Sequence, residues 1–188
     1  MNTNISKQKQ TFSINALTWA WRICLALTLT TAIGQTNTTP QRIGIYDSRA
    51  VAVAFSGSAA FQEWMKPIKA DRDRAKAAGD EQRLKEIDAE MRAHQKLAHK
   101  QAFSTAPVDN LLKHIERRME NIKAKTGIGA IISKWDIAAV ETFSSAEKID
   151  VTMLLVDEFH PNDRQRKSAV EIQKQKPITL KEAENING

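Results

Sequence analysis

At 188 residues, 41% of them hydrophobic, the chain is long enough for one domain with a modest core. Its 28 basic and 22 acidic residues give a formal net charge of +6, without any Lys- and Arg-rich run interleaved with aromatic residues. Binding to nucleic acid is therefore not expected, and a single cysteine excludes a disulfide-stabilised scaffold.

Residues 1–34 have the features of a secretory signal peptide. This stretch contains basic residues but no Asp or Glu, and its apolar run ICLALTLTTAIG is too short to span a bilayer. Small residues at Ala32 and Gly34 predict cleavage near Gly34 and Gln35, which would also remove Cys24, the only cysteine. We therefore expect a periplasmic or secreted mature protein. The alternative, an N-terminal anchor that is never cleaved, stays open.

A polar linker, QTNTTPQ, is predicted over residues 35–41, followed by the folded domain from residue 42 to residue 160. Its first segment, RIGIY, places Ile43 and Ile45 on one face, which predicts a short strand. Asp47 or Ser48 can then accept hydrogen bonds from the free amides of a helix that contains AVAVAF.

A charged helical hairpin is predicted over residues 58–104. Gly79 favours a left-handed helix end and Asp80 can cap the following helix, so these two residues mark the tip. Pro67 is expected to kink the first helix or end it early. The second helix has a narrow apolar stripe, which predicts coiled-coil packing on the first helix or on another subunit. The stripe consists of Leu84, Ile87, Met91, His94, Ala98 and Ala102.

The chain after the hairpin is predicted to return to the core. Ser104 or Thr105 can cap a new helix that has Pro107 in its first turn. AIISK then predicts a strand that lies beside the first strand, and a short irregular or helical piece follows it. The segment IDVTMLLVDEF predicts a further strand that runs into a helix capped by Asp150 or Thr152. The core is expected to close at Pro161, leaving residues 161–188 as a charged C-terminal extension. The new helix presents its apolar face through Val108, Leu111, Leu112, Ile115, Met119 and Ile122.

No pattern in the sequence indicates a metal or cofactor site. His94 and His99 are five residues apart, which separates them by about 140° around a helix, whereas helical zinc pairs are four apart. We expect these two histidines, with His114 and His160, to lie on helical surfaces or seams. No serine has the Gly-x-Ser-x-Gly frame of a hydrolase nucleophile, and the carboxylates of Asp71-Arg72-Asp73-Arg74 are typical of a solvated helix face.

Asp47-Ser48-Arg49 is the strongest candidate site, because polar residues at the end of a strand often carry function. Helix capping explains Asp47 and Ser48 without a site, and we favour that interpretation. An enzyme would need a cleft that unites Asp47 and Arg49 with distant residues such as Asp136 or Glu141. We therefore predict no catalytic, cofactor-binding or metal-binding residues, and a protein that is not an enzyme. Two tryptophans, Trp64 and Trp135, are expected to pack in the core or to line an apolar cavity.

The order of these segments resembles the Skp (OmpH-like) family of periplasmic chaperones. The segments are RIGIYDSRAV, the hairpin tip KAAGDEQRLKEIDAEM, the helix VDNLLKHIERRMENIKAKTG, the strand AIISK and IDVTMLLVDEF. The resemblance implies a mostly helical α+β fold, in which a small association domain with strands bears a projecting hairpin. It also implies trimers whose hairpins enclose unfolded outer-membrane proteins. Pro67 and Pro107 depart from this pattern, because we expect them to interrupt the two arms.

The expected function is that of an exported, non-enzymatic chaperone-like protein that assists outer-membrane protein assembly. It would bind unfolded or envelope client proteins through the hairpin and form a homo-oligomer, a trimer by resemblance. No cofactor, nucleic acid or small-molecule substrate is expected. The alternative is a structural or interaction protein of the cell envelope that binds one folded partner.

Overall fold

The computed structural model describes residues 42–186. The predicted signal peptide and linker lie outside these described residues. The fold is mostly helical with a small parallel sheet, so the predicted α+β class is confirmed. The strands are β1 (Arg42–Tyr46), β2 (Ala130–Ser133) and β3 (Glu147–Asp150). The helices are α1 (Ser48–Ser56), α2 (Ala59–Ala78), α3 (Glu81–Phe103), α4 (Asp109–Leu112), α5 (Glu116–Thr126), α6 (Ile137–Thr142), α7 (Thr152–Asp157), α8 (Asp163–Lys174) and α9 (Leu180–Glu184).

The sheet has the order β2-β1-β3, and both neighbours run parallel to β1. Ile43 is paired with Ala130 on one side and with Lys148 on the other. Gly44 permits close packing over the central strand, because a Cβ atom there would lie 2.6 Å from Ile128 Cδ1 and 2.9 Å from Val151 Cγ2. The predicted strands RIGIY and AIISK are therefore confirmed, side by side.

Helix α1 is the centre of the core. Asp47 caps it by accepting a hydrogen bond from the Arg49 amide, as predicted. Ala50, Val51 and Ala54 are completely buried. Because α1 is covered by α3, α7 and α8, its apolar run AVAVAF needs no polar face.

The hairpin is formed by α2 and α3. Gly79 ends α2 with φ of 67° and Asp80 caps α3, as predicted. Two ion pairs join the arms: Arg83 to Asp71 at 2.7 Å, and Arg72 to Asp88 at 3.3 Å. The apolar stripe of α3 packs against α2 and α1, and Ile87 is only 1% exposed.

Neither proline ends an arm of the hairpin early, which corrects the predicted interruptions of the two arms, whereas the predicted kink at Pro67 stays a prediction. Helix α2 runs through Pro67 to Ala78, because the loss of one backbone hydrogen bond does not end a helix that packs along a neighbour. Pro107 lies beyond Phe103, in the connection between α3 and α4. The second arm therefore ends before Pro107.

The helix predicted after the hairpin is divided, with a 3-10 turn at Lys113–Ile115 between α4 and α5. It begins at Asp109, so the predicted caps at Ser104 and Thr105 and the first-turn position of Pro107 are wrong. Val108 precedes the helix instead and provides no side-chain cap, because its side chain belongs to the core. The predicted apolar face is confirmed: Val108, Leu111, Leu112, Ile115 and Ile122 are buried and Met119 packs against them.

The core does not close at Pro161, because α8 packs on α1 and α9 packs on α3. Ala169 in α8 is 0% exposed and Ala183 in α9 is 1% exposed. These contacts are not apparent from the sequence, because residues 162–186 are mostly charged or polar and the buried positions are small alanines. Within residues 42–186, no helix combines the length and hydrophobicity that spanning a bilayer requires.

Candidate functional site

The carboxyl ends of the three parallel strands bring polar residues from distant parts of the chain together. Asp47 follows β1, Lys134 and Trp135 follow β2, and Thr152 follows β3. The backbone amide of Asp47 donates to Thr152 Oγ1 at 3.0 Å. This edge of a parallel sheet is where ligands commonly bind in α/β folds.

Five hydrogen bonds or ion contacts converge on the Asp47 carboxylate, which is only 1% exposed. Its Oδ1 accepts from the Arg49 amide at 3.0 Å, from Arg49 Nε at 3.1 Å and from Trp135 Nε1 at 3.2 Å. Its Oδ2 accepts from Arg49 Nη2 and Lys134 Nζ, each at 2.8 Å. The acceptor positions of a carboxylate are thereby filled.

The environment of Asp47 stabilises its charged form. Burial alone would raise the pKa of this carboxyl, but the hydrogen bonds from Arg49, Lys134 and Trp135 outweigh burial and lower the pKa below its ordinary value. A carboxylate that is ionised near neutral pH and already fully bonded is a poor general base. The geometry therefore indicates a structural role for Asp47.

Arg49 and Trp135 extend this buried cluster. The Arg49 guanidinium lies 5.0 Å from the centroid of the Trp135 ring, and Lys134 Nζ lies 4.7 Å from it. Arg49 Nη1 also donates to the Gln175 carbonyl at 3.0 Å, so it connects the sheet to the segment after α8. Asp47 is recognisable in the sequence as a helix cap, whereas Lys134 is not among the candidates that the sequence suggests. The available signal was the sequence Lys134-Trp135 at the end of a second parallel strand.

The residues proposed for an enzymatic cleft are not connected. Asp136 caps α6 by accepting from the Ala139 amide at 3.0 Å, and Glu141 lies exposed on the same helix. No hydrogen bond or ion pair among the described residues joins either of them to Asp47 or Arg49. The expectation that the protein is not an enzyme stays a prediction.

A second feature is an apolar groove of about 650 Å³ at the base of the hairpin, which we call the hairpin groove. It lies between α1, α2, α3 and the start of α4. Two of its large apolar lining residues are exposed, Leu97 at 42% and Phe103 at 39%. None of its lining residues is Lys, Arg, Asp or Glu. Its larger apolar lining residues are Phe55, Phe61, Trp64, Met91, Leu97, Phe103 and Leu111.

Aromatic contacts make one wall of the hairpin groove. Phe61 lies 5.8 Å from both Phe55 and Trp64, measured between ring centroids. His94 packs edge-on against Trp64 at 4.7 Å, and His114 lies 5.1 Å from Phe55. These two histidines therefore line the groove, at the helical seams that the sequence analysis expected. Trp64 lines an apolar cavity, the second of the two roles considered for it.

Neither the arrangement of possible metal ligands nor similarity to known proteins identifies a function for the described residues. Among the described residues, no group of three or more His, Cys, Asp or Glu side chains is placed to hold a metal ion. The chain matches no protein-family model, no curated protein and no solved structure. The resemblance to the Skp family therefore depends on the order of the structural elements alone.

Proposed function

We propose that this protein is a non-enzymatic, chaperone-like protein that binds apolar segments of unfolded client polypeptides in the hairpin groove. The observation that carries the proposal is the groove itself, whose lining is mostly apolar and aromatic and contains no Lys, Arg, Asp or Glu. Its volume of about 650 Å³ is within the range of ligand-binding cavities. An open apolar groove of this kind binds apolar side chains without requiring one sequence.

The composition of the groove favours unfolded clients over a folded partner. Apolar burial is non-directional, and Met91 can adapt its side chain to different occupants. Folded proteins seldom present exposed apolar segments, whereas unfolded chains always do. A groove without charged lining residues also lacks the electrostatic pattern by which folded partners are selected.

The charged outer faces of the arms complement this groove. Asp71, Arg72, Arg83 and Asp88 pair with one another across the hairpin and remain partly exposed. Such faces keep the arms in water while the groove is occupied. With 20 residues, α2 extends about 30 Å from end to end. An arm of that length can contact a client well beyond the groove.

The order of elements supports the wider proposal of an exported chaperone similar to the Skp family. In this proposal the protein acts in the periplasm or after secretion, on unfolded or outer-membrane clients, and assembles as a homo-oligomer. The uninterrupted α2 and the end of α3 before Pro107 are consistent with full-length arms. A trimer would place three hairpin grooves around one client.

An aggregation assay tests the proposal. A urea-unfolded outer-membrane barrel protein is diluted into buffer with and without this protein, and light scattering is recorded. We expect suppression by the wild type and its loss in Leu97→Glu, which places a charge in the groove. Leu154→Glu is the matched control, since Leu154 is similarly exposed, at 44%, and does not line the groove.

Two outcomes contradict the proposal. If Leu97→Glu and Leu154→Glu suppress aggregation equally, the groove is not the binding site. If the folded wild type suppresses nothing at any ratio, the alternative of an envelope protein that binds one folded partner takes its place. Sedimentation of the wild type alone separately tests the trimer.

A further inference from the structure

A second cavity, of about 600 Å³, lies at the carboxyl end of β2. We call it the sheet-end cavity. It shares no lining residue with the hairpin groove and lies between β2, α6 and the segment that contains α4 and the start of α5. Its apolar lining includes Leu112, Met119, Ile131, Ile132 and Trp135.

Tyr46 is the most buried polar side chain that lines this cavity. The residue is only 5% exposed and stands at the end of the central strand. Within residues 42–186, its hydroxyl has no hydrogen-bond partner. A hydroxyl held at a largely apolar cavity without a protein partner is available to a ligand that supplies the missing hydrogen bond.

The polar lining of the cavity is predominantly acidic. Asp109, Glu116 and Asp136 contribute three carboxylates, against the single ammonium of Lys113. Lys134, which precedes Trp135 in the sequence, forms an ion pair with Asp47 and does not line the cavity. The chain has a formal net charge of +6, whereas the charge around this cavity is negative. The cavity would therefore attract a cation.

The carboxylates also act on Tyr46. Burial, followed by the negative charges of Asp109 and Asp136, raises the pKa of the Tyr46 hydroxyl above its ordinary value. The hydroxyl therefore stays neutral at physiological pH. Its oxygen can accept a hydrogen bond from a cationic donor, while its proton can be donated to a neighbouring carboxylate.

We propose that the sheet-end cavity binds an organic cation that combines an amine or guanidinium group with an apolar body. The cationic group is held by Asp109, Asp136 and the Tyr46 hydroxyl. The apolar body lies against Leu112 and Met119. The same chemistry is offered by a free amine and by a Lys or Arg side chain of a peptide. The proposal does not depend on client binding in the hairpin groove.

Isothermal titration calorimetry on the full chain tests this proposal with defined probes. These are 4-phenylbutylamine, the neutral 4-phenylbutanol of similar shape, and the peptide acetyl-Phe-Arg-amide. We expect the amine or the peptide to bind, and the alcohol to bind at least tenfold more weakly. Binding of the peptide alone assigns the site to a side chain of a partner, and binding of the amine assigns it to a free ligand.

Variants locate the binding. Asp109→Asn and Asp136→Asn should each weaken cation binding by about fivefold, as expected for a partly exposed charge pair. Tyr46→Phe should weaken it without changing the apolar lining. Glu120→Gln is the matched control, because Glu120 is an exposed carboxylate on α5 that does not line the cavity. Leu97→Glu should leave cation binding unchanged.

Three results would overturn the inference. One is equal binding of amine and alcohol. Another is unchanged cation affinity in Asp109→Asn, Asp136→Asn and Tyr46→Phe, each shown to be folded by circular dichroism. The third is the absence of binding by both the amine and the peptide to folded wild-type protein.

Discussion

The indole N–H of Trp135 donates to Oδ1 of Asp47 at 3.2 Å, across 88 positions of sequence. Trp135 thereby links the end of β2 to the end of β1, and Lys134 makes a parallel contact to Oδ2 at 2.8 Å. Because Arg49 is completely buried, its charge depends on this same carboxylate for neutralisation. One carboxylate thus connects two strands, a helix start and a buried guanidinium.

Replacing Asp47 with Asn should strongly destabilise the fold. The amide side chain of this variant would keep the helix cap but leave the buried Arg49 charge without its partner, which costs about 3–5 kcal/mol of unfolding free energy. Urea denaturation followed by circular dichroism measures this loss. Asp136→Asn is the matched control, since Asp136 is an exposed cap that Asn can replace, and it should lose less than about 0.5 kcal/mol. A loss below about 1 kcal/mol for Asp47→Asn would contradict the structural role of this carboxylate.

The contribution of Asp47 should also depend on pH. The hydrogen bonds from Arg49, Lys134 and Trp135 lower the folded-state pKa of Asp47 relative to its ordinary value of about 3.9. Its stabilising effect is therefore complete above that value and is lost as the pH falls through the lower folded-state pKa. The stability difference between wild type and Asp47→Asn should be constant near neutral pH and shrink below about pH 4. A difference that shrinks instead as the pH rises would contradict this assignment.

Much of this fold follows from short-range signals in the sequence. Asp47 at a helix start, Gly79 at a hairpin tip and the alternation of Ile43 and Ile45 are each properties of a few neighbouring residues, and the structure confirms them. At Pro67 the local signal for an early helix end is overridden, because α2 packs along α3. Local propensity is a weak guide wherever tertiary contacts compensate for it.

Replacing Pro67 with Ala should stabilise the protein. Pro67 lies inside α2, where it removes a backbone hydrogen bond, and Ala would restore that bond. Part of the gain is offset because proline also restricts the unfolded chain, so we expect a net increase of about 1–2 kcal/mol. Thermal denaturation measures the change. Lys69→Ala, at an exposed position of the same helix, should change stability by less than about 0.5 kcal/mol. A loss of stability in Pro67→Ala would show that α2 requires the proline.

Helix α8 should prove to be part of the core. Ala169 is fully buried against α1, so Ala169→Leu should overpack this contact and cost about 1–3 kcal/mol. Lys167→Leu adds a leucine at an exposed position of the same helix and serves as the control. Chemical denaturation of both variants gives the comparison. Equal stability of the two would indicate that α8 contributes little to the core.

The candidate sites are harder to predict from the sequence than the fold is. The hairpin groove combines Phe55 from α1, Trp64 from α2 and Leu97 from α3, and no local pattern relates these positions. The Asp47 cluster joins the ends of two strands, and the sheet-end cavity adds Asp109 from a third region. Such groupings can be recognised only once the topology is known, because they depend on the order of the strands and the placement of the helices.

The position of β1 at the centre of the sheet has a consequence for the newly made chain. This strand is the first described element, yet its partners begin only at Ala130 and Glu147, after the whole hairpin. During synthesis the apolar stretch around Ile43 therefore emerges long before anything can pair with it. Folding of the sheet must follow completion of most of the chain, and contacts so distant in sequence form slowly. The nascent protein is consequently exposed to misassociation until its last strand has been made.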